Sequence, residues 1–443
     1  MDLFRNAHKW NKKGLDFYKS GKFEKALMCF DKALKINSRY EDAWRCKGIT
    51  LDKMGKYYEA IICFAKIVEI KFGYVPMLRL DSQRKNEALT CYNYSVEKKS
   101  NNEWNLKAID FDKCGKYKEA IDSYDKALEL NSNDVLALNN KGVDQHILGK
   151  FREAFTCFDK VVQLDPNSAL GYNNKGVVLF SLLSRLRLLK SLSTDETSQL
   201  KSIISHGYEL SIEFFNKAIE KDSNVERPWF NKGLSLETLE RYEAGIEELT
   251  VEMWALVKPF RYKEAIKCFN KAIELDPLHV EAFNNKAIVL GRIGEYEEAI
   301  IWYDEALHID PNNPDIWSDK GTAFRRLGET LHNRSFLIQA NESYDRAIAI
   351  NSRHEYSWYN KGNVLDVLGH HGEAIKCFDK VIQINPNNEQ AWNNSGTALY
   401  GLEKYVEAID NYDKAININP NFKLASNNKQ LVLKKLKNVD RFA

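Results

Sequence analysis

The sequence predicts an all-α fold in which antiparallel helix pairs stack into a solenoid that ends in a capping helix. Two observations lead to this prediction. Glycines recur at a fixed interval, since Gly14 and Gly48 are 34 residues apart, as are Gly142 and Gly176. Two amphipathic helical stripes also follow each other within each interval. A fixed period of this length is typical of an array of small repeats, and it replaces the estimate of about three domains that chain length alone would give.

Repeat 135–168 illustrates how one repeat is built. Leu138 and Val143 belong to the apolar stripe of a first helix, and Gly149 reverses the chain after it. A second apolar stripe follows, and Pro166 ends the second helix because proline cannot continue it. One helix pair cannot bury both of its apolar faces alone, so neighbouring pairs must stack.

Three residue types recur at fixed places in the repeats. They are a first-helix tryptophan (Trp10, Trp44, Trp104, Trp229, Trp317, Trp358, Trp392), a second-helix alanine (Ala26, Ala60, Ala120, Ala154, Ala265, Ala299, Ala374, Ala408) and a closing proline (Pro166, Pro277, Pro311, Pro386, Pro420). This pattern resembles the tetratricopeptide repeat family, and the resemblance covers nearly the whole chain. It implies a right-handed α-α superhelix without a separate catalytic domain.

We expect one solenoid over residues 1–443, made of eleven repeats and a last helix. The boundaries are 7–40, 41–74, 75–100, 101–134, 135–168, 169–225, 226–279, 280–313, 314–354, 355–388 and 389–422, with the cap helix at 423–440. Repeat 75–100 is degenerate because Pro76 falls where its first helix should run. The cap helix carries several lysines, as a solvent-facing end should.

Repeat 169–225 carries an insertion, 181–205, which predicts a helical hairpin. Thr194 lies in a capping box that opens the second arm, and this arm runs to about Lys221. An equal division of the extra residues would lengthen each arm by about three turns. The leucines of the hairpin either hold its two arms together or, with Arg185 and neighbouring basic residues, form a surface for a partner or for self-association.

Repeat 226–279 carries a second insertion, 240–260. The start of its second helix occurs twice, at Arg241-Tyr242-Glu243-Ala244 and again at Arg261-Tyr262-Lys263-Glu264-Ala265. This duplication predicts an additional helix at about 241–256, which either packs aside or marks a junction between two sub-arrays.

Composition and motifs exclude several classes of function. The 64 basic and 62 acidic residues leave a net charge of +2, which argues against a main role in binding nucleic acid or anionic lipid. The mean hydropathy is −0.48 and no apolar run is long enough to span a membrane, so we expect a cytoplasmic protein. We find no phosphate-binding loop, nucleophile elbow or metal-ligand spacing. We therefore expect no catalytic residues, no metal and no cofactor.

The cysteines are predicted to be reduced. Six of the eight directly precede the second-helix aromatic residue, and equivalent places in stacked repeats are about 10 Å apart, too far for a disulfide.

The candidate binding site is a row of asparagines in the first helices. Asparagine is a poor helix former, so its recurrence there needs a reason. A carboxamide offers a donor and an acceptor that match the backbone of an extended peptide. The resemblance implies that the first helices line a concave surface that holds such peptides. The candidate residues are Asn140, Asn174, Asn231, Asn285, Asn360 and Asn394, with the apolar Leu136, Val143, Val177 and Phe180 beside them. Hydrogen bonding between neighbouring repeats, or an inherited consensus, is the alternative.

These observations predict a non-enzymatic scaffold that binds protein or peptide segments along its concave groove. The groove should change in character, because the later repeats carry Asp315, Arg325, Arg326, Tyr356 and Tyr400 at the places that are apolar earlier. Two alternatives remain open. One is an RNA-binding helical-repeat protein, and the other is an assembly or self-association module that uses the 181–205 hairpin.

Overall fold

The computed structural model describes residues 2–72, 102–187, 194–244 and 260–439. Within these ranges the chain is helical and has no strand. The helices are α1 (Asp2–Lys19), α2 (Phe23–Ile36), α3 (Glu41–Lys53), α4 (Tyr57–Phe72), α5 (Glu103–Lys113), α6 (Tyr117–Leu130), α7 (Val135–Ile147), α8 (Phe151–Leu164), α9 (Ala169–Leu186), α10 (Thr194–Lys221), α11 (Glu226–Glu243), α12 (Phe260–Leu275), α13 (Val280–Arg292), α14 (Tyr296–Ile309), α15 (Pro314–Thr330), α16 (Arg334–Ile350), α17 (Glu355–Val367), α18 (His371–Ile384), α19 (Glu389–Gly401), α20 (Tyr405–Ile418) and α21 (Lys423–Val439). Successive helices pack in pairs, so the predicted all-α class is confirmed.

The chain forms two compact bodies, Met1–Pro277 and Leu278–Ala443, here called the N-terminal body and the C-terminal body. A single solenoid over the whole chain stays a prediction. The degenerate repeat 75–100 lies outside the described residues, as does most of the predicted helix 241–256. Arg241 and Tyr242 lie in the last turn of α11, and the second copy of their motif begins α12 at its second residue.

Glycine in the first helix allows each pair to pack closely. A Cβ atom added to Gly142 would lie 2.8 Å from the ring of Phe158, and one added to Gly396 would lie 2.8 Å from the ring of Tyr412. Real Cβ atoms do not approach so closely, and both rings are buried. The aromatic ring therefore packs directly on the backbone of the first helix.

Two polar links join adjacent repeats, and sequence analysis did not identify either. Lys175 Nζ lies 2.7 Å from Asp159 Oδ1, which belongs to the preceding repeat, sixteen residues earlier. The same pair recurs as Lys47–Asp31, Lys141–Asp125, Lys320–Asp304, Lys361–Asp345 and Lys429–Asp413. In addition, Trp358 Nε1 donates to the Ser352 carbonyl at 2.9 Å, across the turn between two repeats. These links hold consecutive helix pairs in register.

The long pair α9–α10 corrects the expected division of the 181–205 insertion. Helix α9 has 18 residues and α10 has 28, against 13 and 14 in the regular pair α7–α8. The second arm therefore takes most of the added helix, and the equal division is wrong. Leu183 and Leu186, near the end of the first arm, are buried. Phe180 of α9 meets Tyr208 of α10 edge to face, with ring centroids 5.4 Å apart, so apolar side chains hold the arms together.

Helix α4 packs on α9 and α10 as well as on its own partner α3. The ring of Tyr58 stacks on that of Phe155, with centroids 3.7 Å apart, and Tyr57 lies 4.4 Å from the imidazole of His206. His206 Nδ1 lies 3.3 Å from Asp52 Oδ1. The second repeat thus contacts the fifth and sixth repeats within the N-terminal body, and part of the long hairpin is covered by the chain itself.

Candidate binding site

The predicted asparagines of the N-terminal body form hydrogen bonds with one another across the repeats. Asn174 Nδ2 donates to Asn139 Oδ1 at 2.9 Å, and Asn231 Nδ2 donates to Asn173 Oδ1 at 2.8 Å. Within a repeat, Asn139 donates to Asn140 Oδ1 at 3.1 Å and Asn173 donates to Asn174 Oδ1 at 3.2 Å. All five side chains are buried. Their amides link α7, α9 and α11 into one network, which favours the alternative of hydrogen bonding between repeats.

The apolar residues predicted beside this row lie in the core of the N-terminal body. Val177 is 0% exposed and Phe180 is 1% exposed, and Val143 is buried as well. Leu136 is half-buried against the cluster that contains Trp104. The structure therefore places these side chains in helix packing and not on an open apolar patch, because neighbouring first helices approach closely there. A direct contact of these residues with a ligand stays a prediction.

In the C-terminal body the row is continued with different partners. Asn428 donates to Asn393 Oδ1 at 3.0 Å, and Asn393 donates to Asn394 Oδ1 at 2.9 Å. Asn394, which is half-buried, donates to Asn363 Oδ1 at 2.8 Å and to the Tyr359 hydroxyl at 3.0 Å. Asn394 therefore bonds to two side chains, Asn363 and Tyr359, that do not belong to the predicted row.

Asn285 and Asn360 do not link repeats through their amide N–H groups. Asn285 Nδ2 donates to the Glu281 carbonyl at 2.7 Å, and Asn360 Nδ2 donates to the Tyr356 carbonyl at 3.1 Å. Both acceptors lie one turn earlier in the same helix. Among the predicted asparagines, Asn174, Asn231 and Asn394 thus donate to the preceding repeat, whereas Asn285 and Asn360 donate within their own helix.

Arg325 of α15 lies near two tyrosines of α17, Tyr356 and Tyr359, and Arg326 follows it in the helix. Arg325 Nη1 lies 2.6 Å from Glu329 Oε1, and Arg326 Nη1 lies 3.4 Å from Glu329 Oε2. A single carboxylate thus serves two guanidinium groups, which leaves one positive charge in excess. Tyr356 is near enough to Arg325 and Tyr359 to influence their electrostatics, and it is 38% exposed. This group is called the Arg–Tyr surface below.

An acidic group lies about two turns away from the arginines on the same helix. Asp319 occupies the place that asparagine holds in other repeats. Burial, and then the charge of Asp315, raise the pKa of Asp319 to about 7, although Arg292 and His354 act in the opposite direction. His354 Nε2 lies 2.9 Å from Asp315 Oδ1. The first-helix surface of the C-terminal body therefore carries both signs of charge.

A second buried acid lies in the N-terminal body. Burial, and then the neighbouring Asp112, raise the pKa of Asp144 to about 9. Asp144 is therefore protonated at neutral pH and can donate to Asp112.

Sequence analysis named Arg325, Arg326 and Tyr356 but missed Tyr359 and Asn363. Both lie one turn from an expected residue, so reading each first helix at a spacing of three or four residues would have found them. Among the described residues, no three His, Cys, Asp or Glu side chains are grouped so that they could hold a metal ion. No described helix combines the length and the apolar character needed to cross a membrane.

The recurring helix pairs, their glycine-aromatic packing and their inter-repeat links define an α-helical repeat protein. The sequence profile of the tetratricopeptide repeat family matches residues 8–40, 102–134, 355–388 and 389–422, and a second tetratricopeptide repeat profile matches 255–314. The chain is a tetratricopeptide repeat protein.

Several solved structures are similar to parts of the chain. YrrB, described as a TPR protein with an unusual peptide-binding site, is 24% identical over 49% of this chain and 99% of its own, with a TM-score of 0.37. Yeast Tom70 is 15% identical over 99% of this chain and 90% of its own, with a TM-score of 0.41. MamA from Desulfovibrio magneticus RS-1 is 18% identical over 47% and 94%, with a TM-score of 0.34. No curated protein matches the chain. The family assignment therefore rests on the repeat profiles.

Proposed function

We propose that the protein is a non-enzymatic scaffold that binds a protein or peptide segment on the first-helix surface of the C-terminal body. A tetratricopeptide repeat fold is in general a non-catalytic interaction scaffold, and the chain has this fold. The observation that carries the finer proposal is the Arg–Tyr surface. Arginine and tyrosine are enriched among the residues that dominate binding energies at protein interfaces.

Accessibility supports this location. The side chain of Arg326 is 37% exposed, and Tyr356 is exposed to the same extent, whereas the corresponding asparagine row of the N-terminal body is buried. The shared carboxylate of Glu329 leaves an arginine available for an acidic group of the partner. The aromatic ring of Tyr356 would supply apolar contact area at a low cost in side-chain entropy.

The asparagine row enters the proposal in two roles. Asn394 is half-buried and lies beside Tyr359. It is therefore the asparagine of the row that we propose for direct contact with the backbone of a bound peptide. Asn140, Asn174 and Asn231 would act indirectly, because their hydrogen bonds with Asn139 and Asn173 fix the spacing of the first helices. A cytoplasmic location is part of the proposal, and the seven free cysteines of the described ranges support a reducing compartment.

The proposal can be tested with peptides selected on the full-length protein from a random display library. Their affinities are then measured by fluorescence anisotropy for the wild type, Arg326→Ala, Tyr356→Ala and the exposed control Arg353→Ala. We expect the first two variants to lose about 2 kcal/mol each, roughly thirtyfold in affinity, and the control to lose nothing. Selected peptides that bind all four proteins equally would contradict the proposed site, provided that the melting temperatures agree.

A further inference from the structure

A separate cleft lies in the N-terminal body between the helices α3–α4 and the helices α8–α9. It encloses about 690 Å³ of empty space, part of it open to solvent. Four apolar or aromatic side chains and two guanidinium groups are central to its lining: Trp44, Ile62, Phe151, Leu182, Arg152 and Arg185. None of these residues belongs to the first-helix surface proposed above.

The cleft exists because α4 packs on the fifth and sixth repeats. The stack of Tyr58 on Phe155 and the contact of Tyr57 with His206 bring the second repeat against helices that are distant in sequence. A regular array, in which each pair touches only its neighbours, would not place Ile62 opposite Leu182. The cleft thus depends on a contact between repeats that are not neighbours in sequence.

One cation of the cleft has no anionic partner in the part of the chain that the structure describes. The guanidinium of Arg185 lies 4.7 Å from the centre of the Phe151 ring, and no described carboxylate pairs with it. Burial lowers the pKa of Arg185, and no neighbouring charge offsets this effect. His146, which is buried nearby, stays neutral because burial, and then Arg185, lower its pKa to about 3. A half-buried cation in such surroundings gains free energy when an anion approaches.

The other charges of the cleft nearly cancel. Lys66 Nζ lies 2.6 Å from Glu69 Oε2, so this pair is internally neutral. Glu153 also lines the cleft and is the residue that follows Arg152. The lining therefore holds three cations and two anions, a net charge of one positive, and Arg185 is the cation that lies against an aromatic ring. The complement of this surface is a single negative charge next to an apolar group.

We propose that the cleft binds a peptide segment in which one carboxylate adjoins an apolar side chain. The carboxylate would pair with Arg185 and be approached by Arg152, and the apolar side chain would lie between Ile62 and Leu182 with Trp44 at the edge. This site goes beyond the proposed first-helix surface, and its occupation does not require that surface. A phosphate group is the other anion of similar size, but its two charges exceed the single charge that the cleft offers.

Fluorescence anisotropy with defined peptides tests the proposal on the full chain. The probe is a capped, labelled peptide Ser-Gly-Leu-Glu-Phe-Gly-Ser, compared with the same peptide carrying Gln in place of Glu. We expect the wild type to bind the Glu peptide about tenfold more tightly or better. Arg185→Gln should remove this preference, Arg185→Lys should keep part of it, and the exposed control Arg39→Gln should leave it unchanged.

Thermal unfolding separates a lost site from a lost fold. Arg185→Gln loses the contact with the Phe151 ring but no ion pair, so its melting temperature should fall by only a few degrees. Equal binding of the two peptides by the wild type, or a preference that survives in Arg185→Gln, would overturn the proposal. A phosphoserine peptide that binds more tightly than the Glu peptide would overturn the carboxylate assignment. The variants Arg326→Ala and Tyr356→Ala should bind the Glu peptide normally, so failure at one site is distinguishable from failure at the other.

Discussion

The two bodies share a row of buried asparagines in their first helices but differ in the residues beside it. In the N-terminal body these positions hold asparagine pairs and Val177 or Phe180, and all of them are buried. In the C-terminal body the corresponding stretch holds arginines, tyrosines and Asp319, and part of it is exposed. A repeat position thus has no fixed role, because its accessibility depends on the residue that occupies it and on the neighbours of that residue. First helices bond to each other in both bodies, through Asn174 and Asn139 in one and through Ser357 and Ser318 in the other.

The largest expected effect tests whether Phe180 is a core residue. We expect Phe180→Ala to cost about 3–5 kcal/mol in the free energy of unfolding, because it removes a fully buried ring and leaves a cavity. Tyr356→Ala, at an exposed position of the C-terminal body, should cost less than about 1 kcal/mol. Urea unfolding followed by circular dichroism measures both. Similar costs for the two variants would contradict the contrast between a buried and an accessible surface.

The next effect concerns a buried acid in each body. The pKa of Asp144 is raised to about 9 in the folded chain, above its value in the unfolded chain. Folding must therefore keep a proton on this group, and its contribution to stability declines as the pH rises from about 4 to 9. One unit of pKa difference is worth about 1.4 kcal/mol. We expect Asp144→Asn to gain on the order of 3 kcal/mol at pH 8 and almost nothing at pH 4.

Asp319→Asn is the matched variant in the C-terminal body. Because the pKa of Asp319 is raised only to about 7, its gain should grow from pH 4 to pH 7 and then stay level. The difference in unfolding free energy between each variant and the wild type, measured by urea titration at several pH values, gives both profiles. A gain for Asp144→Asn that does not depend on pH would show that the carboxyl group is already ionised.

The asparagine network should contribute less than the buried acid but more than a surface contact. Asn174→Ala removes an amide that bonds to Asn139 and Asn173, so we expect a loss of about 2 kcal/mol. Asn394→Ala, at a half-buried place, should cost about 1 kcal/mol. Thermal unfolding of the two variants compares the bodies directly. A variant Asn174→Ala that is as stable as the wild type would remove the structural reason for the row.

Sequence reasoning predicted the repeat architecture but placed the site only in part. The 34-residue period, the glycine-aromatic pairs and the closing prolines depend on local residues, so they are readable in one sequence. The burial of Phe180 depends on how α9 packs on the long helix α10, where its ring meets Tyr208. The packing of α4 on α10 joins residues such as Asp52 and His206 that are far apart in sequence. No periodic pattern encodes such contacts. The lysine-aspartate links join residues that are sixteen positions apart, and only the structure shows that they pair.

The smallest expected effect comes from those lysine-aspartate links. Lys175 is more buried than Lys361, and the aspartates of both pairs are largely exposed. Exposed ion pairs contribute about 0–1 kcal/mol, and salt weakens them. We therefore expect Asp345→Asn to cost less than about 0.5 kcal/mol and Asp159→Asn slightly more, with both costs reduced at high salt. Unfolding in low and high salt checks this order. If Asp345→Asn were the more costly variant, the C-terminal body would depend on its charged links more than the N-terminal body does. Ion pairs would then hold its exposed first-helix surface in place, whereas buried amides do so in the N-terminal body.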